Sequence, residues 1–94
     1  MKLVLSEDAL LDLEAAVSYI ADRNPAAARK LGDHVLDVID QLAAGDYEGV
    51  EQELTTGERV RSWAVPPFRI YYQRRDGALL VLRIYHQARE PIAR

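Results

Sequence analysis

The 94-residue sequence has no cysteine, which excludes disulfides, thiol catalysis and cysteine-ligated metals together. Lysine is nearly missing: Lys2 and Lys30 are the only two, so the other ten basic residues are arginine. Glycine occurs five times, never in a phosphate-cradling loop or a nucleophile elbow. The two histidines, His34 and His86, lie far apart among scattered carboxylates and give no metal-ligand spacing. Neither a metal nor a cofactor is expected. No apolar run is long enough to span a bilayer, and Met1-Lys2 leads through Leu3-Val4-Leu5 straight into acidic residues instead of a leader. The expectation is a cytoplasmic protein without membrane association.

What is present is ordinary for a globular chain. Hydrophobic residues make up 49% and charged residues 29%, which argues against disorder and for one domain over residues 1–94. The net charge of −3 hides a division. Residues 1–58 carry 13 acidic and 4 basic groups, whereas residues 59–94 carry 8 arginines against 2 acidic groups. Two surfaces with different partners follow from such asymmetry. The planar fork of arginine suits carboxylate or phosphate, and does not by itself specify nucleic acid.

Lys2 to Leu5 reads as a short strand. Ser6 reads as an N-cap, with Glu7 and Asp8 in the first turn where the helix dipole favours them. Leu10, Leu13, Val17 and Ile20, with Ala16 beside them, recur at helical spacing for about four turns. Asn24-Pro25 restarts a second helix, Asn24 as cap and Pro25 at the first helical position. Its stripe is Ala28, Leu31, Val35, Val38, Ile39 and Leu42, and Gly45 is placed as its C-cap. Two helices joined this closely form an αα-hairpin. Residues 46–57 read as an acidic connector, with Val50 and Leu54 as tethers.

Three β-rich runs follow: Arg59 to Trp63, Phe68 to Gln73, and Leu79 to His86, broken by Pro66-Pro67 and Asp76-Gly77. They predict an antiparallel meander. The fold class is therefore α+β, in the order β-α-α-β-β-β, with the helical hairpin on one face of the sheet. The most apolar register places Phe68, Ile70 and Tyr72 beside Leu80, Leu82 and Ile84, with Gly77 at the left-handed position of a bulge. A plain two-residue Asp76-Gly77 turn gives the other register. The first choice leaves Arg61, Trp63, Arg69, Tyr71, Arg83 and Tyr85 on a second face. Two helices can cover one face only, so this one is expected to be a binding surface. Arg69 and Arg83 would be cross-strand neighbours, unfavourable unless an anion lies between them.

Catalysis has one candidate constellation, His86 beside Tyr85 with Arg61, Arg69 and Arg83. RNA cleavage by 2′-hydroxyl attack needs a base, an acid and a cation, roles these residue types can fill. Alternation, however, turns His86 toward the Leu82 and Ile84 side, away from Arg83 and Tyr85. A strand-end histidine with its ring against the core is the simpler reading, and no catalytic residue is assigned.

The element order, the segments Arg61-Ser-Trp63 and Pro66-Pro67-Phe68-Arg69-Ile70-Tyr71-Tyr72, and the block Val81-Leu82-Arg83-Ile84-Tyr85-His86-Gln87-Ala88-Arg89-Glu90-Pro91 resemble ParE-type toxins of the RelE/ParE superfamily. The resemblance covers the whole chain. It implies the toxin of a bacterial type II toxin–antitoxin system that inhibits DNA gyrase and is not an enzyme. It also implies a ParD-like antitoxin with a ribbon-helix-helix N-terminus and a C-terminal segment that wraps the toxin. Operator DNA would be reached only through that antitoxin. The six residues of the second face are the expected antitoxin contacts, and Arg83, Arg89 and Pro91 the candidates for gyrase. Glu90 stands where related chains often carry arginine or another charged residue. The alternatives are a RelE-like ribosome-dependent mRNA endonuclease, which usually needs a strongly basic face, and an inactive remnant that only binds an antitoxin.

Overall fold

The computed structural model describes residues 2–45 and 47–86. Their elements run β1 (Lys2–Leu5), α1 (Glu7–Ala21), α2 (Pro25–Ala44), β2 (Val50–Glu53), β3 (Arg59–Val65), β4 (Phe68–Arg75) and β5 (Ala78–His86). The five strands make one sheet in the order β1-β5-β4-β3-β2. β1 is parallel to β5 and every other pairing is antiparallel. The α+β class and the hairpin on one face are as the sequence predicts. Arg89 and Pro91 lie outside the described residues.

Both helix starts follow from their caps. The Ser6 hydroxyl accepts from the Ala9 amide at 3.0 Å, and the Asn24 side chain from the Ala27 amide at 3.1 Å. Pro25 stands in the first turn of α2, where no intrahelical amide is needed. Gly45 closes α2 at φ 86°, left-handed backbone that glycine adopts at little cost. Arg74 adds to that closure from the sheet, donating to the Leu42 carbonyl at 3.1 Å and the Tyr47 carbonyl at 2.6 Å.

The main core lies between the helices and the sheet. Val35, Val38, Ile39 and Leu42 of α2 meet Val65, Ile70, Tyr72, Leu79, Val81 and Ile84, with Leu3, Leu5 and Leu13 packed against them. The predicted α2 stripe is thus the buried one. On α1 the phase differs: Leu10 is 48% exposed, while Ala9 is fully buried. Ser6 fixes that phase, because its hydroxyl also donates to the Leu82 carbonyl at 2.8 Å and pins the first turn to β5.

Two expectations fail in the sheet. The connector contains a further strand, β2, with Leu54 buried but Val50 exposed. The register also differs. Asp76 (φ 50°) and Gly77 (φ 73°) form a two-residue turn with both residues left-handed. The bulge lies instead between Tyr71 and Tyr72, opposite Leu82. Ile70 pairs with Ile84 as expected, but beyond the bulge Tyr72 pairs with Val81 and Arg74 with Leu79. Val81 and Leu79 therefore take the core positions assigned to Leu82 and Leu80. One extra residue in β5 lets apolar groups face the helices on both sides of it.

The second sheet face is not bare. Leu54, Val60 and Tyr71 form a small cluster there, with Leu82 and Tyr85 against it. Tyr71 is fully buried. The premise that only another molecule can cover this face is corrected for Tyr71: Leu54, just past β2, and Val60 of β3 belong to its cluster.

Candidate functional site

Cross-strand partners share a face, so the register sorts the six predicted residues. Arg69 pairs with Tyr85 and Tyr71 with Arg83, which brings these four together. Trp63 pairs with Ile70 and Arg61 with Tyr72, which puts both on the helix side. Trp63 stacks on Tyr47, and Arg61 donates to the Gly49 carbonyl at 3.5 Å and pairs with Glu48. The cause is the phase across Pro66-Pro67: Val65 pairs with Phe68, so Trp63 and Arg61 share the face of Ile70 and Tyr72 instead of that of Arg69 and Tyr71.

Arg83 is held by several groups. Its Nε donates to Asp12 Oδ2 at 2.8 Å and its Nη2 to Asp12 Oδ1 at 3.0 Å. The guanidinium carbon lies 4.4 Å from the centre of the Tyr85 ring. Tyr85 in turn meets Tyr71 edge-on, centroids 6.0 Å apart. The hydrogen bond donated to Asp12 pushes the Arg83 pKa further above its ordinary value. The anion expected beside Arg83 is therefore intramolecular. Arg69 donates to the buried Ser62 hydroxyl at 3.0 Å, and that hydroxyl donates to Gln52.

Asp12 also closes a strand edge. β1 stops at Leu5, opposite Val81, so among the described residues the rest of β5 has no strand beside it on that side. Ser6 continues the seal, its amide donating to Val81 and its hydroxyl to Leu82. Asp12 then accepts the Ile84 amide at 2.9 Å. Side-chain caps of this kind blunt an edge that would otherwise recruit another strand.

Beyond Asp12, α1 and β5 diverge into a groove of about 640 Å³. Asp12, Ala15, Ala16 and Tyr19 form the helix wall; Arg83, Ile84, Tyr85 and His86 form the strand wall, with Phe68 between. Ala15 and Ala16 leave room because they are small. Tyr19, 63% exposed, is a fixed lip: the Arg23 guanidinium lies 4.1 Å from its ring centre and donates to its carbonyl. His86 is exposed and sets its ring edge-on to Phe68, centroids 5.4 Å apart. It faces the groove side, as alternation indicates, but is not enclosed by core.

A smaller depression of about 360 Å³ lies by β2 and β3, lined by Arg59, Arg61, Arg74 and Arg75 with Glu51, Val60 and Gln73. Its cations are neutralised locally. Arg59 donates twice to Glu51, Arg74 pairs with Glu48 and Arg75 with Glu58. The hydrogen bond from Arg59 lowers the Glu51 pKa below the ordinary carboxylate value. Among the described residues no cluster of histidine, aspartate or glutamate has metal-binding geometry.

Sequence reasoning missed Asp12, Ala15, Ala16 and Tyr19. Their signal is present but faint: a carboxylate, an alanine pair three and four residues on and a tyrosine seven residues on share one helical stripe.

A two-helix hairpin on a mixed five-stranded sheet, with a groove between its first helix and last central strand, defines a small α+β domain. Comparison with known proteins places it further. Residues 3–91 match the family described as ParE toxin of type II toxin-antitoxin system, parDE, and the chain belongs to that family. Toxin RelE2 of Caulobacter vibrioides is 36% identical over 81 residues, spanning 86% of this chain and 89% of that protein. A solved chain described as a chromosomal ParDE TA system from P. aeruginosa superposes with a TM-score of 0.76 over 92% of this chain and 95% of that one. At 22% identity the latter likeness bears on the fold. Among the described residues no helix is long and apolar enough to cross a membrane.

Proposed function

We propose that this toxin arrests growth by binding DNA gyrase, not as an enzyme, and that a ParD-like ribbon-helix-helix antitoxin neutralises it. The antitoxin's C-terminal segment lies in the groove between α1 and β5 and extends over Arg69 and Tyr85. The toxin reaches operator DNA only through that antitoxin. One observation carries the reading: an apolar groove whose cation, Arg83, is locked in place by Asp12 instead of facing a reacting group. Apolar walls with one oriented guanidinium fit an amphipathic acidic segment. They fit RNA cleavage less well, because Arg83 is engaged with Asp12 and His86 has its ring on Phe68. Arg83, Arg89 and Pro91 remain the candidates for gyrase.

The second reading, a ribosome-dependent mRNA endonuclease, is favoured by the name of the Caulobacter relative. A supercoiling assay separates the two. The purified chain is expected to block gyrase supercoiling, and the antitoxin encoded beside it to restore the activity. Undisturbed supercoiling together with mRNA cleavage in a translating extract would establish the endonuclease instead.

A further inference from the structure

Arg83 is constrained from three directions. Asp12 grips it from α1, the Tyr85 ring supports its plane, and the bulge at Leu82 sets the direction in which it leaves the strand. Such investment exceeds what sealing an edge requires, since Asp12 seals it through the Ile84 amide alone. A guanidinium carries five N–H donors. Asp12 takes one on Nε and one on Nη2. Among the described residues no acceptor meets the end-on edge, formed by Nη1 and the second hydrogen of Nη2, and the Arg83 side chain is 33% exposed against 16% for Asp12.

We propose that Asp12 is a positioning residue: by occupying the side-on edge of the Arg83 fork it turns the end-on edge to the groove, where a carboxylate of the antitoxin docks. This inference rests on the reading that the groove receives the antitoxin. The chemistry is specific. A planar fork pinned along one edge cannot rotate, so the second edge accepts a carboxylate only from one direction. The carboxylate therefore sets the register of the segment along the groove, and apolar side chains settle between Ala15, Ala16 and Ile84.

Three variants separate positioning from mere stapling of α1 to β5. Asp12→Asn keeps an acceptor for the Ile84 amide but gives up the charge. Arg83→Lys keeps a cation but has no fork. The exchanged pair D12R/R83D keeps an ion pair but moves the guanidinium onto α1. Affinity for the full-length antitoxin encoded beside this chain is measured by calorimetry, together with thermal midpoints and the NMR signal of the Arg83 Nε–H. The expected result is a loss of affinity of tenfold or more in all three, with the exchanged pair restoring the midpoint but not the affinity. The Nε–H signal should be slow to exchange in the wild type and lost in Asp12→Asn. Wild-type affinity in Asp12→Asn, or recovery of affinity in the exchanged pair, overturns the inference alone. A wild-type chain that does not bind the antitoxin overturns the functional reading and this inference with it.

Discussion

Tyr47 lies flat on Trp63, ring centroids 4.3 Å apart and planes parallel. The stack joins the segment after α2 to the middle of β3, on the helix side of the sheet, and packs against the main core. Trp63 is thus a structural residue first. Trp63→Ala is expected to cost ~2 kcal/mol, less than a fully enclosed tryptophan because the ring is half-buried. Urea unfolding followed by circular dichroism checks this. A loss below a few tenths would mean the stack adds nothing.

Filling the groove should block partner binding without unfolding the chain. Ala15 is exposed on α1 and lines the groove. Ala15→Trp is expected to shift stability by about 0.5 kcal/mol or less, as surface changes usually do. Its affinity for the antitoxin should fall tenfold or more in calorimetry. Unchanged affinity would place the antitoxin elsewhere.

Gly49 is required by its surroundings. Its φ is 73°, and an added Cβ would meet the Tyr72 hydroxyl and lie 2.6 Å from the Ser62 carbonyl oxygen. Gly49→Ala is expected to destabilise by roughly 2 kcal/mol or more, from backbone strain and the clash together. The Tyr72 hydroxyl donates to the Glu48 carbonyl at 2.6 Å, so Tyr72→Phe alone should cost about 1 kcal/mol. Combined, the two should cost less than their sum, since the phenylalanine removes one clashing atom. Denaturation of the four proteins of this cycle measures the coupling.

Alkaline stability follows from the same tyrosine. Burial pushes the Tyr72 phenol above its ordinary value of 10.0. The folded state thus favours the protonated form, and its contribution is intact below the unfolded value. It is lost as pH rises from there through the folded value. Wild-type melting temperature should begin to fall above pH ~10, and Tyr72→Phe should flatten that part of the profile. Identical profiles would refute the assignment.

Helix positions were legible because caps and stripes agree: Ser6, Asn24 and Gly45 each mark a boundary the structure keeps. The core face of α2 was equally plain. The register of β5 was not, since Leu79-Leu80-Val81-Leu82 is apolar throughout and offers no alternation to set its phase. A bulge inside such a run leaves no glycine to announce it. β2 was hidden for another reason, being the acidic edge strand Val50-Glu-Gln-Glu53 with little strand propensity. Arg69, Tyr71, Arg83 and Tyr85 came together because they lie on the side of the bulge where the expected register holds. Arg61 and Trp63 did not, because the two-residue Pro66-Pro67 turn pairs Val65 with Phe68 and sets β3 in the opposite phase. Asp12 needed coordinates, because its partner lies 71 residues away.

The first strand of this protein lies beside the last. Lys2–Leu5 pairs with Ala78–Val81, so during synthesis β1 lacks its strand partner until those residues have been made. One wall of the groove is β5 itself. A copy halted before Ala78 therefore lacks that wall, and on the proposed reading should fail to capture the antitoxin.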